Sequence, residues 1–149
     1  MKKKIIAIIQ ARSGSKGIKN KNIYKINNHP LIAYTIFAAR RCNLIDKIVV
    51  STDSKKYASI SKKYGAEVPF KRSDQLSGDN TPTVPVIKDA LLKSFEHHAL
   101  PEFVTAIYPC TPMLDPGDLV TAADLIIKHD ASYIFPVCPF PSPPERALR

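Results

Sequence analysis

The chain has 149 residues, of which 44% are hydrophobic, and a formal net charge of +9 at pH 7. This size and composition predict one domain over residues 1–149 and exclude a membrane-spanning protein, because no apolar run approaches the roughly 20 residues that cross a bilayer. No signal-peptide cleavage site follows the short apolar run near the start, so a cytoplasmic protein with reduced cysteines is expected.

The predicted elements alternate between strands and helices. The continuous apolar run at 5–9 is typical of a strand buried on both faces, as a parallel sheet requires. Further strands are predicted at 47–51, 103–108 and 132–137, with a short extended piece at 68–70. Helices are predicted at 30–42, 54–64, 83–98 and 115–129. Ser54 and Asp115 are expected as N-caps, and Gly65 as a helix end. The alternation predicts an α/β fold: a three-layer α/β/α sandwich with a mostly parallel sheet.

The loop after the first strand has the composition of a phosphate-binding loop. Its small residues let backbone N–H groups approach an anion closely. Its cations can neutralise a nucleoside triphosphate: Arg12, Lys16, Lys19 and Lys21. The spacing differs from that of a Walker A loop, because Gly14 is followed by Lys16 and then Gly17. The alternative is an ordinary strand-to-turn connection with solvated lysines.

The candidate segments share one edge of the predicted sheet. In open α/β sheets, ligands bind beyond the carboxyl ends of the strands. Four segments follow such ends: 12–22, 51–53, 108–112, and the chain from 139 onward. The sequence therefore predicts a ligand site at this edge.

These segments also carry a family resemblance. The runs Ala11-Arg12-Ser13-Gly14-Ser15-Lys16-Gly17-Ile18 and Lys21-Asn22-Ile23 resemble the signature of the acylneuraminate cytidylyltransferases. Segments in the family's order and spacing follow at 30–36, 49–53, 64–68, Arg72 and 108–112, so the resemblance covers nearly the whole chain. Residues 139–149 are most similar to the branch that activates pseudaminic acid. The resemblance implies a nucleotide-diphospho-sugar transferase-like fold. It also implies an enzyme that joins CTP to a nonulosonic acid, giving a CMP-sugar and pyrophosphate for cell-surface glycan biosynthesis.

The resemblance implies roles for individual residues. Arg12 and Lys21 match catalytic positions on the nucleotide phosphates, where permanent positive charge suits the developing pyrophosphate. The implied CTP-binding positions are Ala11, Arg12, Ser13, Gly14, Lys16, Lys21, Asn22, Arg72 and Thr81. On the sugar side, Tyr108 stands where relatives often carry glutamine, and Cys110 where threonine is common.

The resemblance also implies a cofactor and partners. Mg²⁺, CTP, an acidic nine-carbon sugar and a homodimer of the full-length form are expected. The family's metal-binding acids lie in a C-terminal part beyond Arg149, so no metal ligand is expected in this chain. The chain is accordingly expected to be a truncated synthetase that binds CTP but forms little CMP-sugar alone.

Several alternatives stay open at this point. The sugar could be N-acetylneuraminate, legionaminate or Kdo, or the chain could be a noncatalytic CTP-binding fragment. The net charge also fits a nucleic-acid-binding domain, although the cations cluster in one loop and no nucleic-acid module accompanies them, so no nucleic-acid partner is expected. Arg72 could pair with Asp74 on the surface, and the carboxylates of Asp53, Asp74, Asp79 and Asp115 are each explained as caps or turn residues. The four histidines have no metal-ligand spacing and are given no role.

Overall fold

The computed structural model describes residues 4–96 and 98–139 and has the predicted alternation of strands and helices. The elements in chain order are β1 (Ile5–Gln10), β2 (Lys25–Ile26), β3 (His29–Pro30), α1 (Leu31–Arg41), β4 (Ile45–Ser51), α2 (Lys55–Lys63), α3 (Thr83–Ser94), β5 (Phe103–Ile107) and α4 (Pro116–Lys128). Two 3-10 turns, Lys21–Ile23 and Asp74–Leu76, lie in the loops after β1 and α2.

The main sheet has three strands, and β1 is the central one. β4 and β5 flank it and both run parallel to it, with Ile8 opposite Val49 on one side and Ala106 on the other. The chain crosses from β1 through α1 to β4, and later returns past β1 to reach β5 on the far side. This reversal of direction opens a crevice at the carboxyl end of β1, where α/β sheets bind their ligands.

Helices cover both faces of this sheet. Apart from the last one, the side chains of β1 are apolar and alternate between the two faces, so both faces need to be buried. Ala7 and Ile9 pack with α1 and with Tyr57 of α2, whereas Ile6 and Ile8 pack against Ala90 of α3. All of these residues are buried. The predicted three-layer α/β/α architecture is confirmed.

The predicted helix ends are also confirmed where local chemistry fixes them. The Ser54 hydroxyl accepts a hydrogen bond from the Tyr57 N–H at 3.4 Å, and the Asp115 carboxylate accepts one from the Gly117 N–H at 2.7 Å. Gly65 follows α2 with φ of 96°, in the left-handed region that favours glycine.

Two predicted elements are wrong in extent or type. Residues 132–137 form no strand; the side chains of Tyr133, Phe135 and Val137 are exposed, and the segment pairs with none of the strands among the described residues. α3 ends at Ser94 and not at 98, because Phe95 leaves the helical conformation and packs against the α3 side of the sheet. The extended piece predicted at 68–70 lies outside the named strands, and the neighbouring Glu67 makes a single bridge to Val49 of β4.

Two further expectations fall outside the described residues. These are the pseudaminic-type segment from 140 to 149 and the position of His97. Across the described ranges, no helix is both long enough and apolar enough to cross a membrane.

Candidate functional site

An open cavity of about 330 Å³ lies at the carboxyl edge of the sheet. This volume falls within the range of small-molecule sites. Its walls come from the loops after β1 and β5, from Arg72, and from the segment that leads into α3. The lining residues are Gln10, Arg12, Ser15, Lys21, Asn22, Arg72, Leu76, Gly78, Asp79, Thr81, Thr83, Val86, Tyr108, Pro109 and Cys110.

The start of the loop after β1 is fixed to the end of β4. The N–H of buried Ala11 donates to the Ser51 carbonyl at 2.9 Å. The Asp53 carboxylate accepts from both the N–H and the hydroxyl of Ser13, at 2.8 and 2.6 Å. Ala11 and Ser13 therefore form the base of the loop and do not line the cavity. The alternative in which Asp53 caps α2 is wrong, because Ser54 occupies that position as predicted.

Arg12 and Lys16 converge on one carboxylate at the mouth of the cavity. An Arg12 Nη donates to the Gly14 carbonyl and pairs with Asp79, each at 2.7 Å, and the Lys16 ammonium pairs with the other Asp79 oxygen. Lys16 and Arg12 hold the pKa of Asp79 below its usual value. The interpretation of Asp79 as a turn residue is therefore incomplete, because its carboxylate also engages two of the predicted phosphate ligands.

Asn22 links the loops that follow β1 and β5. Its side chain is buried; the amide N–H donates to the Arg12 carbonyl at 2.9 Å, and its oxygen accepts from the Cys110 thiol at 2.8 Å. Burial raises the pKa of the Cys110 thiol, an effect that the positive charge of Lys21 opposes. Cys110 is therefore a protonated donor at neutral pH.

Arg72 is a buried cation on the wall of the cavity. Only 3% of the residue is exposed, and its guanidinium donates to the Ser51 hydroxyl at 2.9 Å and to the Ser51 carbonyl. Burial lowers the pKa of Arg72, which the negative charge of Asp53 opposes; the guanidinium remains charged at neutral pH. The alternative of a surface pair with Asp74 is wrong, because Arg72 bonds to Ser51.

The loop after β5 is held by α1. The Thr35 hydroxyl lies 3.3 Å from the Tyr108 carbonyl and 3.0 Å from the Thr111 hydroxyl. The Tyr108 ring is exposed, and its hydroxyl lies 3.4 Å from that of Thr83 at the start of α3. Tyr108 thus lines the cavity with a ring that is exposed to solvent.

The structure brings most of the predicted site residues together. Seven of them line the cavity: Arg12, Lys21, Asn22, Arg72, Thr81, Tyr108 and Cys110. Gly14 and Lys16 are exposed beside its mouth. Sequence reasoning missed the roles of Asp79 and Ser51, since a Gly-Asp-Asn run indicates only a turn and a strand-end serine carries no signal of its partner.

The carboxylates beside the cavity do not form a metal site by themselves. Asp53 is hydrogen-bonded to Ser13 and Asp79 is paired with two cations. Across the ranges that the structure describes, no group of three or more histidine, cysteine, aspartate or glutamate side chains is placed to hold a metal ion. Mg²⁺ usually takes one or two carboxylates together with phosphate oxygens and waters, and the two carboxylates beside this cavity are already engaged by Ser13, Arg12 and Lys16.

Residues 6–137 match the family model described as cytidylyltransferase. The chain is 55% identical over 93 residues to the CMP-N,N'-diacetyllegionaminic acid synthase of Campylobacter jejuni, covering 62% of this chain and 40% of that protein. It is 33% identical over 145 residues to a pseudaminic acid cytidylyltransferase of the same species, covering 97% of this chain and 62% of the relative. The chain thus spans about half the length of these relatives.

A solved structure supports the fold. The structure of CMP:2-keto-3-deoxy-manno-octonic acid synthetase complexed with CTP matches with a TM-score of 0.72 at 19% identity, over 86% of this chain and 49% of that one. The predicted nucleotide-diphospho-sugar transferase-like fold is confirmed by this match.

Proposed function

This chain belongs to the cytidylyltransferase family, and we propose that its cavity binds CTP for transfer of the cytidylyl group to a nonulosonic acid. The observation that carries the proposal is the convergence of Arg12, Lys21 and Arg72 on one cavity beyond the end of β1. Three cations around one small cavity suit the triphosphate of a nucleotide.

The proposed reaction is a displacement at phosphorus. The anomeric hydroxyl of the sugar attacks the α-phosphorus of CTP, a new sugar O–P bond forms, the bond to the β-phosphate oxygen breaks, and pyrophosphate leaves. Chemistry of this kind depends on positioning and on neutralising charge. We assign Arg12 and Lys21 to the phosphates, because both reach the cavity from the loop after β1.

Other parts of the CTP site are proposed from their place around the cavity. Arg72 is rigidly held by Ser51 and carries a permanent charge, which suits a fixed contact to the nucleotide. Thr81 also lines the cavity and offers a hydroxyl. Asn22 is assigned mainly to holding Arg12, since both ends of its amide are already hydrogen-bonded.

We propose Mg²⁺ as the accompanying cation, bound with the triphosphate. When bound, it would supply positive charge to the phosphate oxygens. No carboxylate of the described residues is assigned to it, because those beside the cavity are already engaged.

The sugar is proposed to be pseudaminic acid. The resemblance of 139–149 and the pseudaminic acid cytidylyltransferase that aligns with 97% of this chain support it. A legionaminic acid is the second candidate, because the 55% identical relative is named for that sugar. Tyr108 and Cys110, on the β5 side of the cavity, are the proposed sugar-side residues.

The wider setting is also a proposal. We propose that 1–149 form one cytidylyltransferase domain, that the protein is cytoplasmic, and that the full-length form is a homodimer. Light scattering on a chain extended to the length of the relatives tests the dimer. We also propose that the protein has no nucleic-acid partner. Steeply salt-dependent binding to duplex DNA would contradict this proposal.

Pyrophosphate release tests the function. CTP and Mg²⁺ are supplied with pseudaminate, N,N'-diacetyllegionaminate, N-acetylneuraminate or Kdo. We expect the 149-residue chain to bind CTP but release little pyrophosphate, because the carboxylates beside its cavity are occupied. A version extended to the relatives' length should be active with one of the first two sugars. Failure of both versions to bind CTP would contradict the function, and robust metal-dependent synthesis by the 149-residue chain would contradict the absence of a metal site.

A further inference from the structure

Asp79 occupies the cations at the mouth of the cavity. One of its carboxylate oxygens lies 2.7 Å from an Arg12 Nη, and the other is paired with the Lys16 ammonium. Arg12 and Lys16 come from the loop after β1, whereas Asp79 belongs to the separate segment that leads into α3. Two segments distant in sequence are thus joined across the cavity by one anion.

We propose that Asp79 is a built-in competitor for the phosphate site: its carboxylate holds Arg12 and Lys16 in the nucleotide-free protein, and the triphosphate displaces it. This inference rests on the proposed function, since it requires a phosphate-binding role for these two cations. Asp79 thereby sets how much negative charge a ligand needs in order to bind.

The chemistry of the contact supports exchange. Carboxylate and phosphate oxygens accept the same charge-assisted hydrogen bonds from guanidinium and ammonium groups. An Arg12 Nη that donates to both Gly14 and Asp79 is already engaged when a phosphate arrives. A phosphate placed beside the Asp79 carboxylate would also meet like-charge repulsion. The two anions therefore exclude each other at this position.

Exposure makes the present contact easy to break. The Asp79 and Arg12 side chains are each 32% exposed, and that of Lys16 is 83% exposed, so water screens both ion pairs. Next to Asp79, the backbone is held by a Thr81 N–H to Gly78 carbonyl hydrogen bond of 3.4 Å. A triphosphate carries several negative charges and can replace this single carboxylate, whereas a weak monoanion gains little by doing so.

Displacement of Asp79 would also loosen the part of the cavity wall that carries Thr81. Gly78, Asp79 and Thr81 all line it and belong to one short segment. Release of the carboxylate therefore frees the segment that carries Thr81, so that phosphate binding and the placement of Thr81 are coupled.

The test compares Asp79→Asn with wild type by calorimetry, using CTP, inorganic triphosphate and cytidine. Removing the competing charge should increase the affinity for CTP and for inorganic triphosphate by on the order of threefold to tenfold. The reason is that Arg12 and Lys16 are then available to phosphate in a larger fraction of the molecules. Cytidine has no phosphate, so its affinity should not change. Asp79→Ala, which removes the acceptor completely, should behave in the same way.

The matched control is Asp74→Asn, which removes one negative charge from the same stretch of chain without touching Arg12 or Lys16. It should leave all three affinities unchanged. Equal or weaker binding of CTP and inorganic triphosphate by both Asp79 variants, with wild-type circular dichroism, would overturn the proposal. If wild type binds inorganic triphosphate but prefers no cytidine nucleotide, the proposed function fails while the Asp79 comparison still decides this inference.

Discussion

The Asp53 carboxylate accepts two hydrogen bonds from Ser13, one from its backbone N–H at 2.8 Å and one from its hydroxyl at 2.6 Å. Ser13 follows β1 and Asp53 follows the neighbouring β4, so the pair joins the carboxyl ends of two parallel strands. The cationic loop is thereby held where it begins. A loop that is already ordered loses less conformational entropy when it binds a ligand.

Replacing Asp53 by Ala should reduce both stability and CTP affinity. Ser13 would lose the acceptor for two donors, and leaving such groups unsatisfied costs about 1–3 kcal/mol of unfolding free energy. Urea unfolding and calorimetry measure the two effects. Asp124→Ala, an exposed change on α4, is the control and should stay within about 0.5 kcal/mol of wild type. If Asp53→Ala, made in the version extended to the relatives' length, instead kept both quantities and abolished only metal-dependent turnover, Asp53 would be a metal ligand.

Replacing Arg12 by Ala should weaken CTP binding by about 1.5–3 kcal/mol, the range of hydrogen bonds to charged groups. The free energy of unfolding should change little, since the Arg12 side chain is partly exposed. Calorimetry checks the affinity, with Arg41→Ala on the exposed end of α1 as a control that retains the cavity. Unchanged CTP affinity would remove Arg12 from the phosphate site.

Cys110 should position Arg12 through Asn22. The thiol donates to the Asn22 amide oxygen, and the Asn22 amide donates to the Arg12 carbonyl. Cys110→Ala removes the first donor and should destabilise the fold by about 1 kcal/mol and weaken CTP binding. Cys110→Ser keeps a donor and should recover most of both losses. A serine variant as impaired as the alanine variant would show that packing of the sulfur matters and not the hydrogen bond.

The Cys110 thiol should react slowly with iodoacetamide. Burial raises its pKa, so the reactive thiolate forms at higher pH than in a free cysteine, although Lys21 opposes the shift. Mass spectrometry at pH 8 should show slower alkylation than at Cys138, which is exposed, and CTP should slow it further. In a pH series, the alkylation rate of Cys110 should begin to rise at a higher pH than that of a cysteine peptide, because the pKa of the Cys110 thiol is raised. Faster reaction at Cys110 than at Cys138 would contradict its burial and hydrogen bonding.

The sequence predicts features of the fold that depend on local chemistry. The unbroken apolar run of β1 requires burial on both faces, and from this the parallel sheet and the ligand-binding edge follow. Ser54, Asp115 and Gly65 mark helix ends because their side chains, or the lack of one, act within a few residues.

Long-range contacts could not be predicted in this way. The pairing of Asp79 with Arg12 and Lys16 depends on how two loops meet above the sheet, and no local pattern encodes it. The same holds for the burial of Arg72 against Ser51. The apolar alternation at 132–137 has the period of a strand, yet a strand also requires a neighbour to bond with.

The nucleotide selectivity of the cavity decides whether it is a CTP site. Calorimetry with CTP, UTP, ATP and GTP, at one Mg²⁺ concentration and one ionic strength, compares ligands that share a triphosphate and differ in the base. We predict that CTP binds most tightly, because we assign Arg72 and Thr81 on the cavity wall to contacts with the nucleotide beyond its phosphates. Equal affinity for all four triphosphates would contradict it and would reduce the site to a nonspecific anion-binding patch.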